Sequence, residues 1–395
     1  MVSVISTSTN QIVSNIPVGT YLDGVTLDTI NGNLYVANGA FANVSVVNGT
    51  SNKVEATIPL LTNLAGNPPV FDPANDNIYY TNVATKNVSV ISGRTNSVAA
   101  TIPIGHTSSG AALDSTSGNL YVPNPGGSNI TVISGVTNSI ETTFSAGSSG
   151  LGPATFDPAN GDVYVEGALT SLIVISAATN SIVTTVSVGP FPVASTYDPM
   201  NHDVYVFSSG NMSVRPRMTV LSSANNSVVA TTSIAGASTG IICDGSDGDI
   251  YVTLADSNLV DVISPATNAV VDTIQVGAFP EGITYDPTTG DIYVDDSYSG
   301  AISIIVPNTP QSTTGPTPGF LGLPGYDGYL VVGAIVVAGV IGATFLMLRK
   351  RRSSLPESKG ESSKDKEREQ KEGENTTDFG SYRVLHRDHR RAGRL

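Results

Sequence analysis

Short apolar runs with period-two alternation recur along residues 1–306, separated by joints of Gly, Pro, Asn and Asp. Val, Ile, Thr and Tyr dominate the runs, as befits strands, and no helical periodicity appears before residue 329. A Tyr between aliphatic residues returns at Tyr35, Tyr79, Tyr121, Tyr164, Tyr205, Tyr251 and Tyr293, with spacings of 44, 42, 43, 41, 46 and 42 residues. Each is followed by an alternating segment: VSVV (44–47), VSVI (88–91), ITVI (130–133), LIVI (172–175), MTVL (218–221), VDVI (260–263) and ISII (302–305). A Thr-Asn or Asn-Asn turn and another apolar run come next, as in TNSVAATIPIG (95–105). Most units then re-enter through a short strand ending in Asp-Pro: FDP (71–73, 156–158) or YDP (197–199, 285–287).

Each unit therefore reads as four short strands in 41–46 residues, the signature of a propeller blade. The Asp-Pro joints predict tight hairpins, in which Pro fixes φ and a following Gly or Asn accepts φ > 0. The Tyr element occurs seven times, and so does the Asn turn, from Thr9-Asn10 to Thr267-Asn268. The last unit stops at Pro307 without an outer strand, while QIVSNIPVG (11–19) is an outer strand without a blade. Pairing the two joins the chain ends in one blade and protects the sheet edges. One redundancy remains, because VSVI (2–5) and ISII (302–305) compete for the same third-strand slot. The expectation is an all-β, seven-bladed propeller of four-stranded antiparallel blades over residues 1–306.

Beyond it the chain changes character. Residues 307–328 are rich in Pro, Gly and Thr and read as a stalk. YLVVGAIVVAGVIGATFLML (329–348) carries no charge and is long enough for one transmembrane helix. Arg349, Lys350, Arg351 and Arg352 follow as a stop-transfer cluster, which puts the tail (349–395) in the cytoplasm and the propeller outside. That tail reads as disordered, and its basic end could meet anionic lipid. Ala334, Ala338 and Gly342, with Gly339 and Ala343 alongside, give the span the small-residue spacing that permits lateral homo-association. Charge divides at the same boundary: residues 1–348 carry −19 and residues 349–395 carry +5. An acidic body with five Lys and Arg lacks the basic stripe that nucleic acid needs.

The start and the end of the ectodomain carry two further signals. MVSVISTSTN has neither a charged n-region nor an apolar h-region, so the expectation is a true start upstream of Met1, with a signal peptide. Pro318-Gly319-Phe320 resembles archaeal C-terminal sorting signals, but the 43 residues after Arg352 favour a retained span.

YDPTTGDIYVDDS (285–297), FDPANDNIYYTN (71–82), NLYVANG (33–39), VSVISGRTN (88–96) and TIPIG (101–105) resemble the YVTN-type β-propeller repeats of archaeal and bacterial cell-surface proteins, related to surface layers. The literal Tyr-Val-Thr-Asn does not occur; Tyr-Tyr-Thr-Asn at 79–82 and Tyr-Val-Pro-Asn at 121–124 come closest. The resemblance implies an envelope protein and says little of activity, because propellers host many functions.

Candidate chemistry is sparse. Asn43, Asn48, Asn87, Asn129, Asn211 and Asn225 head Asn-x-Ser/Thr triplets on the expected outer side, so glycosylation of at least one is expected from topology. Asp286, Asp291, Asp295 and Asp296 fall within eleven residues and are the calcium candidates, with Asp244, Asp247 and Asp249 a second acidic run. Neither matches an EF-hand, and turn formation accounts for most of them. His106 and His202 lie in loops of different units, too few for a three-ligand catalytic metal, and Cys243 sits in a strand, where a small buried hydrophobe is the default. No catalytic triad, phosphate loop or dinucleotide fingerprint occurs. The sequence reading is a membrane-anchored, non-catalytic surface propeller with no cofactor, holding an unknown protein or glycan. The alternative is an extracytoplasmic propeller enzyme, lyase-like or haem-binding.

Overall fold

A computed structural model describes residues 3–6, 11–14, 16–19, 21–60, 67–238, 240–299 and 301–305. The stalk, the span at 329–348, the Arg349–Arg352 cluster and the tail lie outside the described residues. Among the described residues no helix is long and apolar enough to cross a membrane.

Seven sheets form a ring. The first blade runs through Leu22–Asp28, Asn33–Asn38, Asn43–Asn48 and Lys53–Pro59 from the inside out, and the second through Val70–Asp72, Asn77–Asn82, Asn87–Ser92 and Ser97–Pro103. Blades three to six repeat this order over residues 112–145, 154–187, 192–233 and 241–275. Inner strands of neighbouring blades touch all the way round, including Pro280–Tyr285 of the seventh against Leu22–Asp28 of the first. The described residues form an all-β, seven-bladed propeller.

The seventh sheet has five strands, in the order Gln11–Ser14, Ser3–Ser6, Ala301–Ile305, Ile292–Asp296, Pro280–Tyr285. The two copies of the third-strand sequence do not compete for one slot. Ser3–Ser6 lies parallel to Ala301–Ile305, Ser3 opposite Ser303, and Gln11–Ser14 follows antiparallel as the edge. Ser3–Ser6 runs in the same direction as Ala301–Ile305 and pairs with it in parallel, extending the sheet beyond the third strand.

Burial differs from simple alternation in the middle strands. Ile78, Tyr79, Tyr80, Thr81 and Asn82 are all buried, because both faces of the second strand meet neighbouring blades. Only the outer strands keep an exposed face. In six blades they carry one extra residue at the same register (Glu55, Ala99, Glu141, Val183, Val229 and Val271), a bulge that bends the blade's rim.

Two polar devices explain the repeated residues. An Asp that ends each inner strand or directly follows it caps the turn: Oδ1 of Asp28, Asp72, Asp114, Asp157, Asp198, Asp244 and Asp286 accepts the N–H two residues on. The fourth residue after it has positive φ in every blade: Gly32, Asp76, Gly118, Gly161, His202, Gly248 and Gly290. The second device joins blades. The hydroxyls of Tyr35, Tyr79, Tyr121 and Tyr164 donate to Oδ1 of Asn96, Asn138, Asn180 and Asn226 of the next blade, at 2.5–3.1 Å. Those asparagines hold φ between 49° and 58°, the left-handed region that Asn tolerates.

Candidate functional site at the channel mouth

Each blade's inner strand begins on one face of the ring, here called the upper face, and ends at the capped Asp turn on the lower. At the upper end the strand starts surround a cavity of about 480 Å³, to which all seven blades contribute. Gly24 and Gly282 bring the first and seventh inner strands together. A Cβ on Gly24 would lie 2.5 Å from the Pro68 Cα, and one on Gly282 would lie 2.7 Å from the Gly24 Cα. Gly24 also has φ +127°, which a side chain would strain.

The titratable side chains lining the cavity are Asp23 and Glu281, one on each side of this junction. Burial pushes the Glu281 carboxyl above its ordinary pKa, the Ser297 hydroxyl pulls it back, and the Asp23 charge raises it further. Behind them lies Asp295, fully buried. Its Oδ1 accepts the Gly282 N–H at 2.9 Å, and its Oδ2 finds no hydrogen-bond partner among the described residues. That Oδ2 would lie 2.6 Å from a Cβ on Gly282, so it backs directly onto the cavity wall. Burial holds the Asp295 carboxyl well above the usual range, with Glu281 and Asp296 adding their charge. Asp296 is pushed up to about 7, first by burial, and Ser303 Oγ donates to it at 2.7 Å. Tyr80, in the second blade, is fully buried with no partner for its hydroxyl among the described residues; burial and then the Asp23 charge disfavour its ionisation.

On the same upper face, where the connections enter the first and seventh blades, three aromatic rings pack together. Phe279 and Tyr298 stack at 4.4 Å and 16°, and Tyr21 meets Tyr298 edge-on at 5.9 Å and 78°. Tyr21 is 59% and Tyr298 62% exposed. Tyr21 and Phe279 have φ of 54° and 58°, an uncommon backbone state for a bulky residue. Hydrogen bonds fix it: the Tyr21 N–H to Ser297 O, the Ser297 N–H to Phe279 O and the Phe279 N–H to Asn258 Oδ1, at 2.9–3.1 Å. Phe191, entering the fifth blade, repeats the arrangement with φ 53° and 50% exposure. The sequence does carry a signal for these rings. Val-Gly-x-aromatic occurs at 18–21, 188–191 and 276–279, each time before an inner strand.

The residues singled out from sequence go elsewhere. Asp286 and Asp291 sit at the lower end of the strand Ile292–Asp296, whereas Asp295 and Asp296 sit at its upper end, about 14–17 Å from Asp291 at 3.4 Å per residue. Asp244 caps its turn and Asp247 accepts the Asp249 N–H, both on the lower face, with Asp249 pushed up to about 6, chiefly by burial. Among the described residues no three of His, Cys, Asp or Glu are grouped to hold a metal. His106 lies exposed in an upper loop, and His202 lies in a lower turn, where its Nδ1 is 2.6 Å from the Tyr197 hydroxyl. Cys243 ends the sixth inner strand, buried, its thiol pushed up by burial and by Asp198 and Asp244. Of the glycosylation candidates, Asn211 and Asn225 are exposed, Asn43, Asn48 and Asn129 half-buried and Asn87 buried, its Oδ1 accepting from Asn82.

No family model and no curated protein matches this chain. Solved structures do. Hydrazine synthase of Kuenenia stuttgartiensis superposes with a TM-score of 0.64 at 15% identity, over 73% of this chain and 96% of that one. The likeness is one of fold. The Cps50 (Swd1) β-propeller domain of Myceliophteria thermophila gives 0.62 at 9%, over 74% and 98%. One neighbour bears the name of an enzyme and the other does not, so fold fixes the propeller and leaves the role to the site.

Proposed function

We propose that the chain is a membrane-anchored surface propeller that binds a partner or ligand at its upper face without transforming it. The observation carrying this reading is the channel mouth. Its described lining is carboxylates, glycines, small polar groups and aliphatic residues, and a cluster of aromatic rings, Tyr21 and Tyr298 exposed, lies on the same face. Exposed aromatics held in a costly backbone state, as at Tyr21, are a recognition device. The uncharged run 329–348, the Arg349–Arg352 cluster and the resemblance to YVTN-type surface repeats support the anchor and the outward orientation. Under this reading the asparagines exposed on the outer side are the glycan acceptors. Calcium at Asp286, Asp291, Asp295 and Asp296 has no support in their placement.

Orientation is tested on intact cells with one epitope in a propeller loop and one after Leu395. The loop epitope is expected to be labelled directly, and the tail epitope only after permeabilisation; the reverse pattern overturns the reading. One observation favours the enzymatic alternative: Asp23 and Glu281 converge at one mouth, and a raised Glu281 could act as the acid to an Asp23 base. A Soret band or a stoichiometric transition metal in the purified full chain would establish a haem or metal enzyme instead.

A further inference from the structure

The turn at the lower end of the second blade departs from its counterparts. Four residues after the capping aspartate, five blades have glycine, whereas the second has Asp76, at φ 60°. Glycine is more at ease than aspartate in that backbone state, so the use of Asp76 lies in what its side chain meets. The position faces the preceding blade: at the fifth–sixth junction a Cβ on Gly248 would lie 3.3 Å from Asp198 Oδ2. At the first–second junction the same place brings Asp76 to Asp28. Asp28 Oδ2 and Asp76 Oδ1 both crowd the spot that a Cβ on Gly93 would take, Asp28 Oδ2 at 2.6 Å from it. Asp28 is 0% and Asp76 9% exposed, and neither of these two oxygens has a hydrogen-bond partner among the described residues. The other two oxygens are engaged. Asp28 Oδ1 accepts the Ile30 and Asn31 N–H groups, and Asp76 Oδ2 lies 4.0 Å from the Arg94 guanidinium.

From this convergence we infer that Asp28 and Asp76 share one proton, as a carboxyl–carboxylate pair that clasps the first blade to the second. Two carboxylates this close and this buried do not both ionise, and a proton between Asp28 Oδ2 and Asp76 Oδ1 gives each oxygen its missing partner. One negative charge is left, and Arg94 stands beside it. Burial holds the Asp28 carboxyl above its ordinary range; the Ile30 and Asn31 N–H groups pull it back, and the charge and hydrogen bond of Asp76 raise it again. The other titratable groups around the pair do not take the proton. Tyr35 donates its hydroxyl to Asn96 Oδ1 at 2.5 Å, and Asp72 turns its Oδ2 towards Gly135 at the next junction. A divalent cation is the rival occupant, but it needs six or more oxygens, and the Asp76 carbonyl already accepts the Gly93 N–H at 2.7 Å. A folded-state value above the unfolded one means that the clasp holds in acid and loosens as pH rises, when loss of the proton sets two negative charges against one another. This proton site lies on the lower face and is independent of what the upper face binds.

Difference infrared spectroscopy of the purified full chain in detergent, from pH 3.5 to 9, tests the pair directly. Subtracting Asp28→Asn from the parent chain leaves the C=O band of the shared carboxyl, which is expected to vanish as pH rises. Between Asp76→Gly and the double variant the same band should titrate at least about one pH unit lower, a tenfold loss of proton affinity, because Asp28 then holds its proton alone. Thermal unfolding gives the matching arm. Asp28→Asn, whose amide donates to Asp76 at every pH, should gain in Tm over the parent chain as pH rises from 4 to 8. Asp76→Gly places at this turn the residue that five blades already use, and Asp76→Asn is the second variant should the turn change. Absence of a titrating band, a midpoint unmoved by loss of the Asp76 carboxyl, or a Tm gap that stays flat with pH overturns the inference. Calcium that raises the Tm of the parent chain but not of Asp28→Asn overturns it in favour of a metal site.

Discussion

Glu166 offers the sharpest test of how burial governs this propeller. It ends the second strand of the fourth blade, is 0% exposed, and is held at a pKa of about 8 by burial, which the Ser195 hydroxyl only partly offsets. Its ordinary value is 4.5. Between those two values the folded state keeps a proton that the unfolded state has released. Stability must then fall as pH rises, by about 1.4 kcal/mol per unit. The loss begins near pH 4.5, is largely complete by pH 8, and amounts to roughly 3–5 kcal/mol. Glu166→Gln keeps the shape and removes the titration. Wild type and variant should unfold alike near pH 4.5, and the variant should be more stable at pH 8, by about 10 °C in Tm at roughly 2 °C per kcal/mol. Thermal unfolding of the full chain, followed by far-ultraviolet circular dichroism from pH 4.5 to 8.5, measures the gap. Asp295, Asp296 and Asp249 shift in the same direction but are common to both proteins and cancel in the difference. A gap that does not grow with pH, or a variant less stable at pH 8, refutes the reasoning.

Three further outcomes follow from the packing. Tyr121→Phe removes the bond from the third blade to Asn180 and should cost about 1–2 kcal/mol in urea unfolding, without altering the spectrum of the folded chain. His202→Gly should be neutral to within about 0.5 kcal/mol, because glycine is at ease at φ 63°, while His202→Ala should cost about 1 kcal/mol; an equal loss in both would show that the imidazole matters more than the turn. Gly282→Ala forces a Cβ to within 2.7 Å of the Gly24 Cα and should destabilise by about 1–3 kcal/mol or more, read as a lowered urea midpoint.

Blade number was legible because the two most regular signals in the sequence are halves of one contact. Tyr79 recurs in register with Asn138 because four junctions between blades, those of Tyr35, Tyr79, Tyr121 and Tyr164, share one hydroxyl-to-amide hydrogen bond. The turn aspartates were legible for the same reason. What escaped was whatever lacks a period. Asp295 and Asp296 stand beside turn-forming aspartates in the sequence, yet they are buried at the far end of a strand, and local composition carries no trace of that burial. Tyr21 and Phe279 sit in connections of differing length, and their backbone state depends on hydrogen bonds to Ser297 and Asn258, distant or unremarkable in the sequence. The parallel strand Ser3–Ser6 escaped because a third-strand copy was expected to occupy a third-strand place.

That strand also sets a clock. Ser3–Ser6 finds its partner in Ala301–Ile305, at the far end of the ring, so the clasp cannot close until some 300 residues have been made. At about 5–20 residues per second the first two strands wait roughly 15–60 s. Throughout that interval Ser3–Ser6 keeps open the edge that Ala301–Ile305 will take, able to pair with any strand that passes. Newborn chains are therefore most exposed to pairing with one another at the open edge of Ser3–Ser6, and a factor that shields this strand should raise the yield of closed rings more than one acting on any single blade.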